Sequence, residues 1–590
     1  MALTIGGTDN NNLHPEPDCD LDIFASTSLK NSSEKDILLR NIGYLRGVRV
    51  DNNDGPQTLT RQVAKYAGQE PPLVQEINDF VTESITTKTE REANYIHSGW
   101  SLDAVSAINP WISSRIAFNN QPNAEGTWIT RRTLIHRFRL RISPGELTPV
   151  PEFRTEVEAA LNRLTVFQQF EAVYQALHKW GDVVPLEVEM GASLVFTDFE
   201  TNVSQLPATA SWFDTRYLAT IRTARITRQG AVDDEGWEDS IWPKKTIPPL
   251  QWHQTRIRKV IHTIRLLPVE IQDRLSQLYS QRLSYIPALI IGPSDSSCQT
   301  HDDTHHAANT ISSVTIYTSD FIRTVKFDYA DTSKSSKHEG SESQGSEHNM
   351  VLIDGEYITE IFIWKHDWID GLQFITNFGR CSPHFGGLWG VPTVARSKGG
   401  VLVGIISLIQ QHSFGRLFRN FQGIWRHDAV DRVPKEEDVF SIYFGSHHGK
   451  PFNDRVVVRN SNMAILKINV GCGAYFDSLQ LTYLDNSGRE VQTDRHGGAG
   501  GGKHEFVLEP GEHITSVSGK YDDQHITQMT FITDQGRSSG SFGEGYSTGK
   551  LHSFSVSSPK DRDGKRMRLQ YACGKSDASL NGIMLVWTPV

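Results

Sequence analysis

The chain has 590 residues, too many for a single hydrophobic core, and domain-size statistics divide it into roughly three or four domains. Hydrophobic residues make up 38% and charged residues 22%, the balance of folded protein and not of a disordered tail. Lys and Arg total 59 against 69 Asp and Glu, and the net charge of -10 argues against nucleic acid as a main partner, because phosphate binding needs a local excess of positive charge.

No stretch of about 18 apolar residues occurs, so a membrane role would have to come from strands or from a surface patch. Residues 1–36 form a polar segment, opening Met1-Ala2-Leu3-Thr4-Ile5-Gly6-Gly7 and continuing through Asn10, Asn11 and Asn12. A basic start followed by an apolar run is missing, so this does not read as a secretory signal. The expectation is a cytoplasmic protein, or one released without a visible signal. Five cysteines (Cys19, Cys298, Cys381, Cys472, Cys573) are odd in number and far apart, which fits reduced thiols better than a disulfide framework.

The N-terminal half is mixed α and β. Ile129 to Ile142 reads as extended. From Glu152 to His178, apolar residues at Phe153, Val157, Leu161, Leu164, Phe167, Phe170, Tyr174 and Leu177 predict an amphipathic helix or a pair of shorter ones. Val184 to Val195 and Leu218 to Arg228 read as extended. Trp252 to Tyr285 reads as helical, with Trp252 in the core. Ile290 to Asn309 is a polar linker containing Gly292 and Pro293. Its His301-Asp302-Asp303-Thr304-His305-His306 run offers metal-ligand types, but without a matched second cluster it reads as solvated linker, and no metal site is assigned.

The C-terminal half repeats itself. Leu352-Ile353-Asp354-Gly355-Glu356-Tyr357-Ile358-Thr359 is echoed by Leu508-Glu509-Pro510-Gly511-Glu512-His513-Ile514-Thr515. Phe374-Ile375-Thr376 with Gly379-Arg380 and Phe385-Gly386 returns as Phe531-Ile532-Thr533, Gly536-Arg537 and Phe542-Gly543. Order and spacing persist, so this is a duplicated domain. Period-two alternation and Gly-centred turns make both copies strand-rich, as a sandwich, barrel or prism would be. Asp331 to Glu347, rich in Ser, Lys, His and Glu, reads as a solvated loop of the first copy.

The second copy, residues 438–590, resembles a jacalin-type lectin domain. The resemblance rests on Phe444-Gly445-Ser446-His447-His448-Gly449-Lys450-Pro451-Phe452-Asn453-Asp454, on Gly473-Ala474-Tyr475-Phe476-Asp477-Ser478-Leu479, on His496-Gly497-Gly498, and on Gly574-Lys575-Ser576 with Leu580-Asn581. It implies an all-β prism (β-prism I) of three four-stranded sheets, with a sugar held between an early Gly-rich loop and a late Gly-x-x-x-Asp loop. Those loops map to Gly449 and Lys450, and to Asp577, Ala578, Ser579 and Asn581. Asn581 stands where the family carries Asp, giving up the charge-assisted bonds of a carboxylate, and Asp577 could take over part of that role. The first copy, residues 311–428, resembles a degenerate member. Its late loop maps to Gly399-Gly400-Val401-Leu402-Val403, where valine cannot accept a hydrogen bond, so a buttress or interface role is expected.

In the N-terminal half, Trp180-Gly181-Asp182-Val183-Val184, six residues, then Gly191-Ala192 resembles the membrane-attack-complex/perforin (MACPF) signature. That signature is an aromatic-Gly-Thr/Ser-His-aromatic run followed by Gly-Gly. Trp180, Gly181, Gly191 and the spacing are kept; Thr/Ser, His, the second aromatic and the last Gly are not. The resemblance to fungal-type MACPF domains implies an α+β domain over residues 37–289. Its bent antiparallel sheet would carry helical clusters that unfurl into membrane-crossing hairpins after self-oligomerisation, with Gly181 and Gly191 as bends. A crossing hairpin needs roughly 20 alternating residues plus a turn. From Leu102 to Phe118 the even positions alternate suggestively, but Pro110 interrupts a strand interior. Gly191 to Arg228 is barely long enough.

The expected layout is therefore multidomain: the polar segment, a MACPF-like domain at 37–289, a linker at 290–310 and prisms at 311–428 and 438–590. The expected function is a glycan-binding, pore-forming protein whose partners are mannose- or galactose-type glycans, a target membrane and further copies of itself, with no nucleic acid. The alternative is a non-lytic soluble lectin or scaffold. No Gly-x-Ser-x-Gly elbow, His-Glu-x-x-His helix or P-loop occurs, so neither catalytic residues nor a cofactor is assigned.

Overall fold

The computed structural model describes residues 39, 43–68, 72–118, 123–204, 223–230, 251–286, 298–330, 334–340, 345–547 and 549–590. The segment 1–36, the middle of the second hairpin candidate (205–222) and residues 231–250 lie outside the described residues. The chain divides into two compact units. The first holds most of residues 1–268, and the second holds 269–590 together with 113–121 and 156–175.

The first unit is built on three antiparallel strands of 17 residues, Leu73–Thr89, Glu125–Arg141 and Val183–Phe199. The free side of Val183–Phe199 is completed by two shorter strands end to end, His253–His262 and Arg225–Gln229. Val183–Phe199 is buried along nearly its whole length, whereas Leu73–Thr89 is mostly exposed and forms an edge. The pairings shift register at one level across the sheet: between Glu76 and Asp79, between His136 and Phe138, and between Glu189 and Met190. Bulges bend and twist the strands that carry them, so three in line crease the platform.

Ion pairs line that crease around the buried Glu189 and Arg132. Glu189 pairs with Arg139 at 2.5 Å and Arg258 at 3.2 Å, and Glu83 pairs with Arg132 and Arg256, each at 2.5 Å. Burial raises the Glu83 carboxyl, but the two guanidiniums outweigh it and hold the group below its usual range.

Between the first two long strands lie helices Glu90–His97, Leu102–Ser106 and Pro110–Phe118. The alternating segment 102–118 is thus helical. Pro110 opens its helix, a position where the missing N–H costs nothing, and Ser101 caps the one before, accepting from the Ala104 N–H at 3.2 Å. The long amphipathic pattern resolves into the pair Pro151–Leu161 and Val166–Trp180, with Leu164 95% exposed in the break. Trp252 is buried as expected, but the helix expected from it is a correction: His253–His262 is a strand, Val269–Ser280 a helix and Leu283–Ile286 a strand again.

The second unit contains two prisms. The first has three four-stranded sheets, and two of its strands come from outside the expected boundary. Leu283–Ile286 pairs with Gly415–Arg426, and Cys298–Asp302 pairs with Val401–His412. The supposed linker therefore builds part of the prism. Its Asp303 is buried, accepting from the Ile405 N–H at 3.0 Å and meeting the buried His338 at 2.8 Å. His338 lies in the stretch read as a solvated loop, which supplies strands Ser335–Glu339 and Ser346–Val351. The second prism has sheets of five, five and three strands over residues 439–588. Four described cysteines are free.

The prisms interlock. Phe362, Trp364 and Ile375 of the first belong to the same buried cluster as Leu479, Phe531, Leu585 and Trp587 of the second. Burying a large side chain of this kind contributes about 1.5–3 kcal/mol. At the margin, Asn453 Nδ2 donates to Gln373 Oε1 at 2.9 Å, and Arg455 pairs with Glu360 at 3.4 Å with both side chains buried.

Candidate functional site

Trp180 ends the helix Val166–Trp180, buried beside Phe153 with ring centroids 5.9 Å apart. Gly181 closes that helix in the left-handed region (φ +87°), its N–H donating to Leu177 O at 2.8 Å. It is a helix cap and not a bend in the sheet, which corrects one half of the expectation. A Cβ on Gly181 would lie 2.7 Å from Gly47 C, and one on Gly47 would lie 1.8 Å from Trp180 O, so two glycines let strand Arg46–Arg49 cross the helix end. Gly191 does sit at the crease, with φ +154°, where a Cβ would lie 1.8 Å from Ile135 O.

In the second prism the early and late loops meet as expected. Lys450 pairs across strands with Ser576, and a Cβ on Gly449 (φ +97°) would lie 2.9 Å from Asn581 Oδ1 and 3.1 Å from Ser576 N. Asp577 and Ala578 are exposed at the loop tip, Ser579 is half-buried, and the Asp577 N–H donates to Ser579 O at 3.0 Å. Asn581 is buried. Its Nδ2 donates to Gln524 O at 2.9 Å, while Oδ1 is enclosed without a protein partner.

This geometry recurs in other sheets. Gly445, Gly497 and Gly386 have φ of +112°, +113° and +106°, and a Cβ on each would lie 2.4, 2.0 and 2.2 Å from the carbonyl oxygens of Asn581, Asp477 and Asp370. A few residues on, the place of Gly449 is taken by Gly501 and Gly390, where a Cβ would lie 2.6 Å from Asp477 Oδ2 and 2.6 Å from Asp370 Oδ2. Two sheets thus present a true aspartate where the expected site has Asn581. Asp477 closes a literal Gly473-Ala474-Tyr475-Phe476-Asp477 run, a Gly-x-x-x-Asp signal legible in the sequence. Asp370 shows that the first prism also has a glycine loop facing an acceptor, in its middle sheet. The residues Gly399 to Val403, mapped as its late loop, are a turn leading into a buried strand, and the hairpin matching the late loop of the second prism turns at His412–Gly415.

Asp370 and the early loop of the second prism meet at Lys575. This buried lysine donates from Nζ to His447 O at 3.0 Å and to Leu388 O. Burial pulls it down to about 8, against the opposite pull of Asp370 and Asp577. Burial likewise raises Asp370 to about 6, opposed by the His366 N–H and by Lys575. Among the described residues no group of three or more metal-ligating side chains comes together.

Comparison with known proteins agrees with this architecture. Residues 44–223 match the fungal MACPF-like domain, and residues 292–411 and 441–583 match the jacalin-like lectin domain. The chain carries a MACPF-like domain followed by two jacalin-like lectin domains. Jacalin-related lectin 22 of Arabidopsis thaliana is 28% identical over 266 residues, which is 42% of this chain and 48% of that protein, so the match spans about half of the relative. Zymogen granule membrane protein 16 of Mus musculus is 28% identical over 162 residues, 27% of this chain and 86% of that one. Among solved structures, a mannose-binding jacalin-related lectin from Ananas comosus aligns over 26% of this chain and 99% of its own, with 20% identity and a TM-score of 0.22. The jacalin-like match from 292 places Cys298–Asp302 inside the first lectin domain, as the sheet pairing does.

Proposed function

We propose that the chain is a carbohydrate-binding, perforin-like pore former. The second jacalin-like domain docks on glycans of a target membrane, and neighbouring MACPF-like domains then assemble edge to edge. The observation that carries this reading is the strand Leu73–Thr89. It has 17 residues, it is largely exposed, and among the described residues only Glu125–Arg141 pairs with it, leaving one backbone edge open to another chain. The segment that follows, between Thr89 and Glu125, carries helices Glu90–His97, Leu102–Ser106 and Pro110–Phe118 and exceeds the roughly 20 residues a crossing hairpin needs. Docking by the lectin domains raises local concentration, so weak sugar contacts suffice. In this reading the protein is membrane-associated once assembled and performs no catalytic step.

The test is dye release from liposomes with and without mannose- or galactose-terminated glycolipids. Leakage that depends on the glycolipid supports the reading. Binding without leakage supports the second reading, a non-lytic lectin or scaffold. That alternative is favoured by Asp182-Val183-Val184 and Ala192, which replace four positions of the MACPF signature.

A further inference from the structure

We propose that Trp389 of the first prism completes the glycan-binding loops of the second, so that the two prisms read one oligosaccharide together. The terminal residue of the glycan lies at the loops of Gly449 and Asp577, and the residue behind it stacks on the Trp389 indole. The proposal rests on the lectin reading and deepens it by naming the ligand as an oligosaccharide and not a lone monosaccharide.

Trp389 stands on a short loop that its own prism holds firmly. The turn Phe385-Gly386-Gly387-Leu388-Trp389-Gly390 is anchored by glycine on either side of its two large residues. A Cβ on Gly387 would lie 2.1 Å from Asp320 O, and one on Gly390 (φ +79°) would lie 2.5 Å from Lys365 N, so the loop packs against backbone more closely than other residues would allow. Leu388 and Trp389, between these anchors, are 50% and 53% exposed. Lys575 then fastens the loop to the second prism, donating from Nζ to Leu388 O and to His447 O. Across the join the Trp389 and His448 rings meet edge to face with centroids 5.1 Å apart, and those of His366 and His447 do the same at 5.4 Å.

His448 adjoins Gly449 in the chain, so a single imidazole separates the indole from the early loop. That loop is tied in turn to the late one: the Ser446 N–H donates to Asn581 O at 2.9 Å, and the His448 N–H donates to Ser446 Oγ at 3.2 Å. Lys450 and Asp577 are exposed on the two loops. An indole face beside imidazoles and a charged rim suits a partner that is apolar on one face and hydroxylated around its edge, as a pyranose is. A flat apolar partner would instead bury those polar groups without hydrogen bonds, at a cost. Phe362 and Trp364, rooted in the core of the second prism, hold the indole in register with loops that belong to another domain.

Titration calorimetry of the full chain tests this with mannobiose and galactobiose against methyl α-D-mannopyranoside and methyl α-D-galactopyranoside. Wild type is expected to hold one of the disaccharides about three- to tenfold tighter than its monosaccharide, the gain from one added stacking contact. Trp389→Ala is expected to abolish that gain while leaving monosaccharide affinity and the melting temperature unchanged, and Trp389→Phe to restore part of it. A wild type without the disaccharide preference, an alanine variant that keeps it, or one that loses monosaccharide and disaccharide affinity alike overturns the proposal and leaves the lectin reading standing. A wild-type chain that binds none of these sugars, nor immobilised mannose- and galactose-terminated glycans, overturns the lectin reading itself.

Discussion

The Lys575 ammonium donates to the carbonyl oxygens of both His447 and Leu388, so one buried cation ties the early loop of the second prism to the glycine loop of the first. Replacing it with methionine leaves two carbonyls unpaired and Asp370 without its opposing charge. The expected cost is about 1–3 kcal/mol, read as a lowered melting temperature of the full chain. The folded chain releases this proton near 8, whereas the unfolded chain holds it to the ordinary 10.5. Wild type therefore gains stability over Lys575→Met as pH rises from 8 towards 10.

Asn581→Asp restores the acceptor that the family resemblance implies. Charge-assisted bonds are roughly twice as strong as neutral ones, so sugar affinity is expected to rise wherever this loop takes part in binding, while loss of the Nδ2 bond to Gln524 O, with a carboxylate oxygen set against that carbonyl, is expected to lower the melting temperature. Calorimetry with methyl α-D-mannopyranoside reads the change. Unaltered affinity assigns recognition to other loops.

Gly191→Ala is expected to disrupt the first unit, because the added methyl would fall 1.8 Å from Ile135 O at a φ that alanine avoids. Strain of this kind costs at least ~3 kcal/mol, and loss of the first transition in urea unfolding is the readout. An alanine chain that melts like wild type contradicts the account of the crease.

Acid should weaken the same unit. Burial pulls His97 and His136 down to about 4, helped for His97 by Arg225 and Arg132, while for His136 Glu189, Asp79 and Glu83 pull the other way and Arg256 adds to the fall. Folded imidazoles thus stay neutral while unfolded ones take up protons near 6.5, so their contribution is complete above pH 6.5 and is lost as pH falls towards 4. At pH 5 the loss is about 2 kcal/mol per imidazole. Urea midpoints measured from pH 7.5 to 5 should fall for wild type and fall less for His97→Gln with His136→Gln.

Much of this architecture could be read from residue order, because glycine turns and period-two alternation are local signals. The pair of prisms, the helix pair around Leu164 and the long strands around Ile135 and Leu194 all came from such signals. What escaped depended on distant partners. His253–His262 carries Ile257, Val260 and Ile261 at helical spacing, yet pairing with Val183–Phe199 makes it a strand. His338 sits among serines and lysines, and only Asp303 and Ser407, at 2.8 and 2.7 Å, explain its burial. The Gly473–Asp477 run is legible in the order of residues, whereas its equivalence to the loop that carries Asn581 rests on the shared backbone geometry of Gly497 and Gly445.

Because Phe362, Trp364 and Ile375 are rooted in the core of the neighbouring prism, the tandem behaves as one stiff calliper. Sugars gripped at different points along it would sit at fixed intervals, with no hinge between the prisms to absorb a mismatch. Under the proposed glycan docking, ligand spacing on a surface would govern retention: a coat whose chain ends fall at the matching interval would be held strongly, and a sparser one released.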